Sequence, residues 1–175
     1  MLTLDAHAKV NLTLEAIGRR SDGYHEIVSI IQTIDLRDTL TLEHADAITL
    51  ECDRPELQTP DNLAFRAAQA LRDAAGLNDG ARIVLRKGIP VAAGLGGGSS
   101  DAAATLLGLD RLWRLDMSID DLAPIAIGLG SDVPFFLHGG TAMLRGRGER
   151  VQPLPPADLE WLVVLSPEIG VPNKT

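Results

Sequence analysis

The most chemically distinctive stretch of this sequence is a glycine-rich segment that runs directly into an alanine- and leucine-rich one. Four glycines fall within five positions, and two serines follow them before the apolar run 102–107. This pattern is typical of a loop feeding a buried helix, whose free N-terminal N–H groups and dipole bind phosphate. The loop and its serines comprise Pro90, Val91, Ala92, Ala93, Gly94, Leu95, Gly96, Gly97, Gly98, Ser99 and Ser100.

The type of phosphate loop is narrowed by what the segment lacks. A Walker A loop needs a lysine directly before the hydroxyl residue, and Gly98 stands there instead. A dinucleotide fingerprint needs a third glycine where Ser99 stands. The alternative is a flexible surface loop before an ordinary core helix. A strand-like run at 83–85 directly before the loop makes that alternative less favoured, because linker glycines rarely sit between a strand and a capped helix.

A lysine and an asparagine share one face of the first predicted strand. Residues 2–16 alternate, with apolar residues at even positions and polar ones at odd positions. This period predicts a half-buried strand, or two strands meeting at a bend. Lys9 and Asn11 therefore lie on the face that the core does not occupy. The pattern alone favours an ordinary solvated lysine.

Two further candidates are ambiguous on local pattern. Asp132 follows a glycine-rich turn and precedes Val133 and Pro134, which favours a helix N-cap over a functional carboxylate. Tyr24 and His25 occupy a polar loop, where such a pair more often packs at the surface than forms a site. Both alternatives stay open at this level.

Short strands and helices must position these residues. Period-two and apolar runs predict further strands at 26–35, 39–43, 47–52, 81–87, 141–145 and 160–165, with 145–150 as a solvated hairpin tip. Cys52 falls on an apolar face and is interpreted as a small buried hydrophobe.

Capping residues mark the predicted helices. Asp61 is expected to cap a helix that runs to about residue 75, and Gly76 to end it. A second helix follows the glycine-rich loop and ends near residue 113. Ser118 with Asp121 predicts a capping box for a third helix, which Pro124 should kink or shorten.

Composition bounds the class of protein. The chain has 175 residues, 45% of them hydrophobic, which is typical of one soluble domain. A net charge of −8 argues against nonspecific binding to nucleic acid or to an anionic membrane. A single cysteine excludes an internal disulfide and a multi-cysteine zinc site. The sequence has no run of transmembrane length and no signal-peptide pattern, so a cytoplasmic location is expected.

Three segments together resemble one enzyme superfamily. They are AKVNL at 8–12 with the DGYHE motif at 22–26, the loop 90–100 with the DAA that follows it, and GSDVPFF at 130–136. They are similar to the galactokinase, homoserine kinase, mevalonate kinase and phosphomevalonate kinase superfamily. The central loop indicates only the superfamily, and DGYHE after AKVNL narrows it to one branch. His7 departs from the proline that the family usually carries there.

The resemblance implies an α+β fold like ribosomal protein S5 domain 2, a mixed or antiparallel sheet with helices packed on one side. It implies a kinase N-terminal domain over 1–160, with 161–175 as the start of a second domain missing from this chain. The implied activity is transfer of the ATP γ-phosphoryl to a hydroxyl of cytidine diphosphate-linked methylerythritol in non-mevalonate isoprenoid biosynthesis, with Mg²⁺ bridging phosphate oxygens. A sister kinase for homoserine or mevalonate, or a non-catalytic nucleotide-binding fragment, are the alternatives.

The resemblance also implies a role for each candidate residue. Asp132 would be the general base and Lys9 its catalytic partner, while the loop binds ATP. Asn11 would contact substrate or phosphate, Tyr24 would stack on the cytosine, and His25 would hydrogen-bond its edge. Asp101 beside the loop is expected to pair with a cation or cap backbone, because a carboxylate would repel phosphate. The expected partners are the small-molecule substrate alone, with no nucleic acid or membrane, in a monomer or homodimer.

Overall fold

The centre of the fold is an unusually long antiparallel strand pair. The structure is a computed structural model that describes residues 1–20, 23, 25–157 and 161–165. Strand β1, Leu2–Arg19, pairs along almost the whole of β2, His25–Ala45. The runs predicted at 26–35 and 39–43 are therefore parts of one strand. The register of the pair shifts between His7 and Ala8, directly before Lys9.

Four shorter strands complete a mixed sheet. They are β3, Thr49–Cys52; β4, Gly80–Arg86; β5, Thr141–Gly146; and β6, Arg150–Leu154. The order is β3-β4-β2-β5-β6, and β1 pairs with β2 outside this path. The β3–β4 pair is parallel and the other pairs are antiparallel. The expected α+β fold with a mixed sheet is confirmed.

Helices cover one face of this sheet. They are α1, Leu63–Ala75; α2, Gly97–Trp113; α3, Ile119–Leu129; and α4, Val133–His138. The sheet contributes alternate, fully buried residues, and alternation places them on one face. The main core contains Ala6, Leu40, Leu42, Ile83 and Leu85 from the sheet, with Ala64, Leu71, Ala102, Leu106, Leu109 and Leu122 from the helices. None of the helices in the described ranges has the length and apolar character to cross a membrane.

The helix boundaries agree with the capping signals in all but two details. The cap of α1 is Asn62 and not Asp61, because the Asn62 side chain accepts the N–H of Ala64 at 2.9 Å. Gly76 ends α1 in the left-handed region, and the Ser118 capping box on α3 is present, both as predicted. Pro124, which was predicted to kink or shorten α3, does not end the helix, which continues to Leu129.

The strand predictions are wrong where pairing or burial depends on residues that are distant in the sequence. Residues 161–165 form no strand. The partner of β5 is β6, which begins at the end of the predicted hairpin tip 145–150 and was not itself predicted as a strand. On β1 the predicted apolar face is buried at Ala8, but Leu14 is 59% exposed because β1 there extends past the helices of the main core. Cys52 is half-buried rather than buried.

Candidate active site

The glycine-rich loop enters α2 with its backbone amides open. Gly96 is the N-cap of α2 and lies in the left-handed region at φ 74°. Within the described part of the chain, the N–H groups of Gly97, Gly98 and Ser99 donate no hydrogen bond, and the first such bond runs from Ser100 N to Gly96 O. Three unpaired amides at a helix N-terminus are the arrangement that binds an anion.

Gly96 is also required for close packing. A Cβ atom there would lie 2.7 Å from Phe136 Cζ and 3.0 Å from Lys9 Cγ. The loop is therefore in direct contact with both α4 and the side chain of Lys9. The backbone N–H of Lys9 also donates to Leu95 O at 2.9 Å. These contacts place Lys9 beside the open amides.

A cleft of about 550 Å³ lies over the loop. Residues 90–99 form one wall, and the start of α1 with the segment before it forms the other, through Leu57, Asp61, Asn62 and Leu63. These wall residues were not predicted, since the cap motif at Asn62 indicates only a helix start. Ser99 lines the cleft, whereas Ser100 is 3% exposed and faces a separate cavity beside Leu4.

Lys9 and Asp132 converge although they lie far apart in the chain. Lys9 Nζ is 3.6 Å from Asp132 Oδ2 and donates to Asn11 Oδ1 at 3.0 Å. The Lys9 side chain is 11% exposed and that of Asp132 is 37% exposed. Lys9 is therefore not the solvated strand lysine that the pattern favours. Asn11 lies on the same face as Lys9, as predicted.

Asp132 occupies an N-cap position without capping. It precedes α4, but its side chain accepts no hydrogen bond from the first turn of that helix. Its carboxylate instead faces Lys9 on one side. On another side lies the β5–β6 turn, where a Cβ on Gly148 would be 3.7 Å from Asp132 Oδ1. The carboxylate is thus partly exposed, lies beside a cation, and accepts no hydrogen bond from the first turn of α4.

The predicted base-recognition pair is described only in part. Tyr24 lies outside the described residues. His25 is the first residue of β2, exposed and opposite Arg19. The next residue, Glu26, accepts a hydrogen bond from Arg20 Nη1 at 2.5 Å and from Gly146 N at 3.2 Å. The hydrogen bond from Arg20 holds the pKa of Glu26 below its ordinary value.

A buried ionic cluster lies under the loop. Lys87 Nζ donates to Asp101 Oδ2 at 2.6 Å and to Asp38. Asp101 therefore pairs with a cation, as expected. Asp38 was not predicted: it falls between two predicted strands and has no local motif. Its Oδ1 accepts the N–H groups of Gly88 and Ile89 at 2.7 and 2.8 Å.

Two groups of this cluster, Asp101 and Lys87, have shifted pKa values. Burial raises the pKa of Asp101 to about 7, although the ammonium of Lys87 opposes the shift. Burial also works against the charge of Lys87, but the two carboxylates outweigh it and raise its pKa. Asp101 Oδ1 is buried and has no hydrogen-bond partner among the described residues.

Comparison with known proteins gives a consistent family. Residues 62–140 match the family model described as the GHMP kinases N terminal domain. The chain is 52% identical over 170 residues to the 4-diphosphocytidyl-2-C-methyl-D-erythritol kinase of Symbiobacterium thermophilum, covering 96% of this chain and 60% of the relative. It is 51% identical over 173 residues to the enzyme of that name from Moorella thermoacetica, covering 98% and 60%. The chain thus spans about 60% of the length of these curated relatives.

Solved structures agree with the sequence relatives. A crystal structure of 4-(cytidine 5'-diphospho)-2C-methyl-D-erythritol kinase superposes with a TM-score of 0.76 at 46% identity, covering 87% of this chain and 55% of that one. The Methanococcus jannaschii mevalonate kinase superposes with a TM-score of 0.68 at 16% identity, covering 88% and 56%. The second likeness concerns the fold alone. The predicted resemblance to this superfamily is confirmed.

Proposed function

We propose that this chain, whose residues 62–140 match the model of the GHMP kinases N terminal domain, is the ATP-binding part of a small-molecule kinase. The proposed reaction transfers the γ-phosphoryl of ATP to the 2-hydroxyl of 4-diphosphocytidyl-2-C-methyl-D-erythritol, in non-mevalonate isoprenoid biosynthesis. The relatives that carry this name support the choice of substrate. The observation that carries the proposal is the Lys9–Asp132 pair beside the open amides of α2.

The N-terminus of α2 would bind the phosphates. The unpaired N–H groups of Gly97, Gly98 and Ser99 can each donate to a phosphate oxygen, and the helix dipole favours the negative charge. Phosphoryl transfer depends mainly on alignment and charge neutralisation, which such rigid donors supply. Among the described residues no group of three acidic, histidine or cysteine side chains is placed to hold a metal. Mg²⁺ would be held by the triphosphate and would neutralise its charge.

Asp132 would act as the general base. Its carboxylate accepts the proton of the acceptor hydroxyl while that oxygen forms a bond to the γ-phosphorus and the bond to the β–γ bridging oxygen breaks, releasing ADP. The ammonium of Lys9, 3.6 Å from the Asp132 carboxylate, would stabilise negative charge on the reacting oxygen. Asn11 orients that ammonium through its 3.0 Å hydrogen bond. We assign Tyr24 and His25 to the cytosine, by stacking and edge hydrogen bonds respectively.

The base assignment is tested by Asp132→Ala, with Asp73→Ala as a matched control. Asp73 is an exposed carboxylate 3.8 Å from Arg72, outside the cleft. A positioned base contributes about 10²–10⁴-fold, so the Asp132 variant should lose at least that factor in kcat while its ATP affinity stays near that of the parent. A variant with normal turnover, or one that loses ATP binding instead, would refute the assignment.

The substrate is tested with a panel in a coupled assay of ADP release. Cytidine diphosphate-linked methylerythritol should be phosphorylated, while homoserine and mevalonate should not. A preference for homoserine or mevalonate would favour the sister-kinase alternative.

A second candidate is a nucleotide-binding fragment without turnover. This candidate is supported by the chain's length, because the chain spans about 60% of its relatives and the rest of their length would then complete the site. Turnover by this chain should be compared with turnover by a version extended to the relatives' full length. If both proteins bind nucleotide but only the extended version turns over substrate, the hypothesis of a nucleotide-binding fragment is correct.

A further inference from the structure

The buried cluster under the loop joins three separate elements. Asp38 lies in β2, Lys87 follows β4 directly, and Asp101 is the fifth residue of α2. All three side chains are nearly inaccessible: Lys87 is 5% exposed, Asp101 3% and Asp38 0%. The cluster is therefore almost wholly buried, and Lys87 and Asp101 lie at the inner end of the cleft, which they help to line.

Its contacts fix both ends of the glycine-rich loop. Asp38 holds the first end, because its Oδ1 accepts the N–H groups of Gly88 and Ile89 just before the loop begins. Lys87 holds the second end, because its ammonium donates to Asp101 just after the loop. A Cβ on Gly97 would be 3.3 Å from Lys87 Nζ, so the ammonium lies against the residue that begins α2.

A contribution to folding stability does not by itself explain why these three charged side chains are buried together. Buried ion pairs are often no better than apolar side chains of the same volume, because both charges lose their hydration. Here two carboxylates share one ammonium, and Asp101 Oδ1 has no partner among the described residues. An ammonium beside a helix N-terminus also opposes the helix dipole. The cluster does fix the relative positions of the two ends of the loop, because its charge-assisted hydrogen bonds are directional.

We propose that Lys87 and Asp101 are positioning residues that hold the ends of the glycine-rich loop together, so that its amides stay aimed at a phosphate. The inference rests on the proposed function for its nucleotide, although the ordering of the loop can be measured without one. Both residues line the inner end of the cleft, and the exchange measured without nucleotide isolates their effect on the loop. Without the Lys87–Asp101 bond, the loop keeps the hydrogen bond from Lys9 N to Leu95 O. It loses the contact that ties the segment before the loop to α2.

The test uses Asp101→Ala in the full 175-residue chain. This variant leaves Lys87 paired with Asp38 and so leaves no lone buried charge. Glu51→Ala is the matched control, because it removes a carboxylate that pairs with Arg82 on the sheet, outside the cleft. Asp101→Asn is the conservative variant, since its amide oxygen can still accept from Lys87.

Two readouts are measured where urea titration shows each variant to be fully folded. The first is amide hydrogen exchange in peptides covering residues 88–100, without nucleotide. It should become about tenfold faster or more in Asp101→Ala, less so in Asp101→Asn, and stay unchanged in Glu51→Ala. The second is the Kd of a fluorescent ATP analogue with Mg²⁺, which should rise about tenfold in Asp101→Ala, with Asp101→Asn between it and the parent.

The outcomes separate this inference from the proposed function. Unchanged loop exchange in Asp101→Ala overturns the positioning role, whatever the nucleotide does. Faster exchange with an unchanged Kd overturns the link to phosphate binding. A parent chain that binds no nucleotide overturns the proposed function, and the exchange comparison then still decides whether the pair orders the loop.

Discussion

Replacing Gly96 by alanine tests whether the loop, α4 and Lys9 are packed as closely as the structure places them. The added Cβ would lie 2.7 Å from Phe136 Cζ and 3.0 Å from Lys9 Cγ. The Phe136 ring packs edge-to-face on Phe135 at a centroid distance of 5.0 Å, so moving it away would disturb that contact. Gly94 is a matched control: its φ is also 74°, and a Cβ there meets nothing within 4 Å.

The expected magnitude follows from separating backbone strain from steric overlap. Holding an alanine in the left-handed region costs roughly 1–2 kcal/mol, and both variants have this cost. Both also restrict the unfolded chain to the same degree, so that effect cancels in the comparison. Gly96→Ala adds overpacking against Phe136 and Lys9, which costs roughly 1–3 kcal/mol. The free energy of unfolding should therefore be lower in Gly96→Ala than in Gly94→Ala by about 1–3 kcal/mol.

Urea unfolding of both variants and the parent measures this difference directly. The slope of the free energy against urea should be equal in all three, since the surface exposed on unfolding is the same. Gly96→Ala should also lose turnover, because the overlap displaces Lys9 and with it the 3.6 Å approach to Asp132. Equal destabilisation of the two variants would refute the packing argument, and normal turnover in Gly96→Ala would show that Lys9 is not held by the loop.

Two further predictions concern folding stability. Burial raises the pKa of Asp101 to about 7, against about 3.9 in an unfolded chain. Between about pH 3.9 and about pH 7, Asp101 therefore binds a proton in the folded state but not in the unfolded state. Asp101 therefore contributes stability that is full below about pH 4 and is lost as the pH rises through about 7. The unfolding free energy of the parent minus that of Asp101→Asn should fall across this window, and a flat difference would contradict the shift. Ser118→Ala removes the capping box of α3 and should lower the unfolding free energy by about 1 kcal/mol in urea titration. An unfolding free energy equal to that of the parent would show that the cap is dispensable.

Features held by hydrogen bonds between near neighbours were predictable from the sequence. Ser118 and Asp121 are three residues apart, so the capping box needs no other part of the chain to form. Gly76 ends α1 for the same kind of reason, since the left-handed conformation suits a residue without a side chain. The glycine-rich loop and the helix after it follow the same rule. The resemblance to a kinase superfamily rested on these local segments.

Burial and ionic partners, by contrast, depended on elements that meet only in the folded chain. The alternation of β1 placed Lys9 with the exposed polar residues, but the loop and α4 fold over it. Asp38 had no motif at all, and its role appears only when β2 passes under the loop. The correct partner of β5 was missed because pairing is decided by a neighbouring strand rather than by the residues of the segment itself.

The sequence by itself therefore determined that a glycine-rich loop leads into a helix, and which residue types stand near it. Only the tertiary structure decided that Asp132 turns away from its own helix towards Lys9. The physical reason is one of range. A cap or turn is stabilised by hydrogen bonds within a few residues, whereas an ion pair between a first strand and a late turn exists only after the sheet and helices have packed.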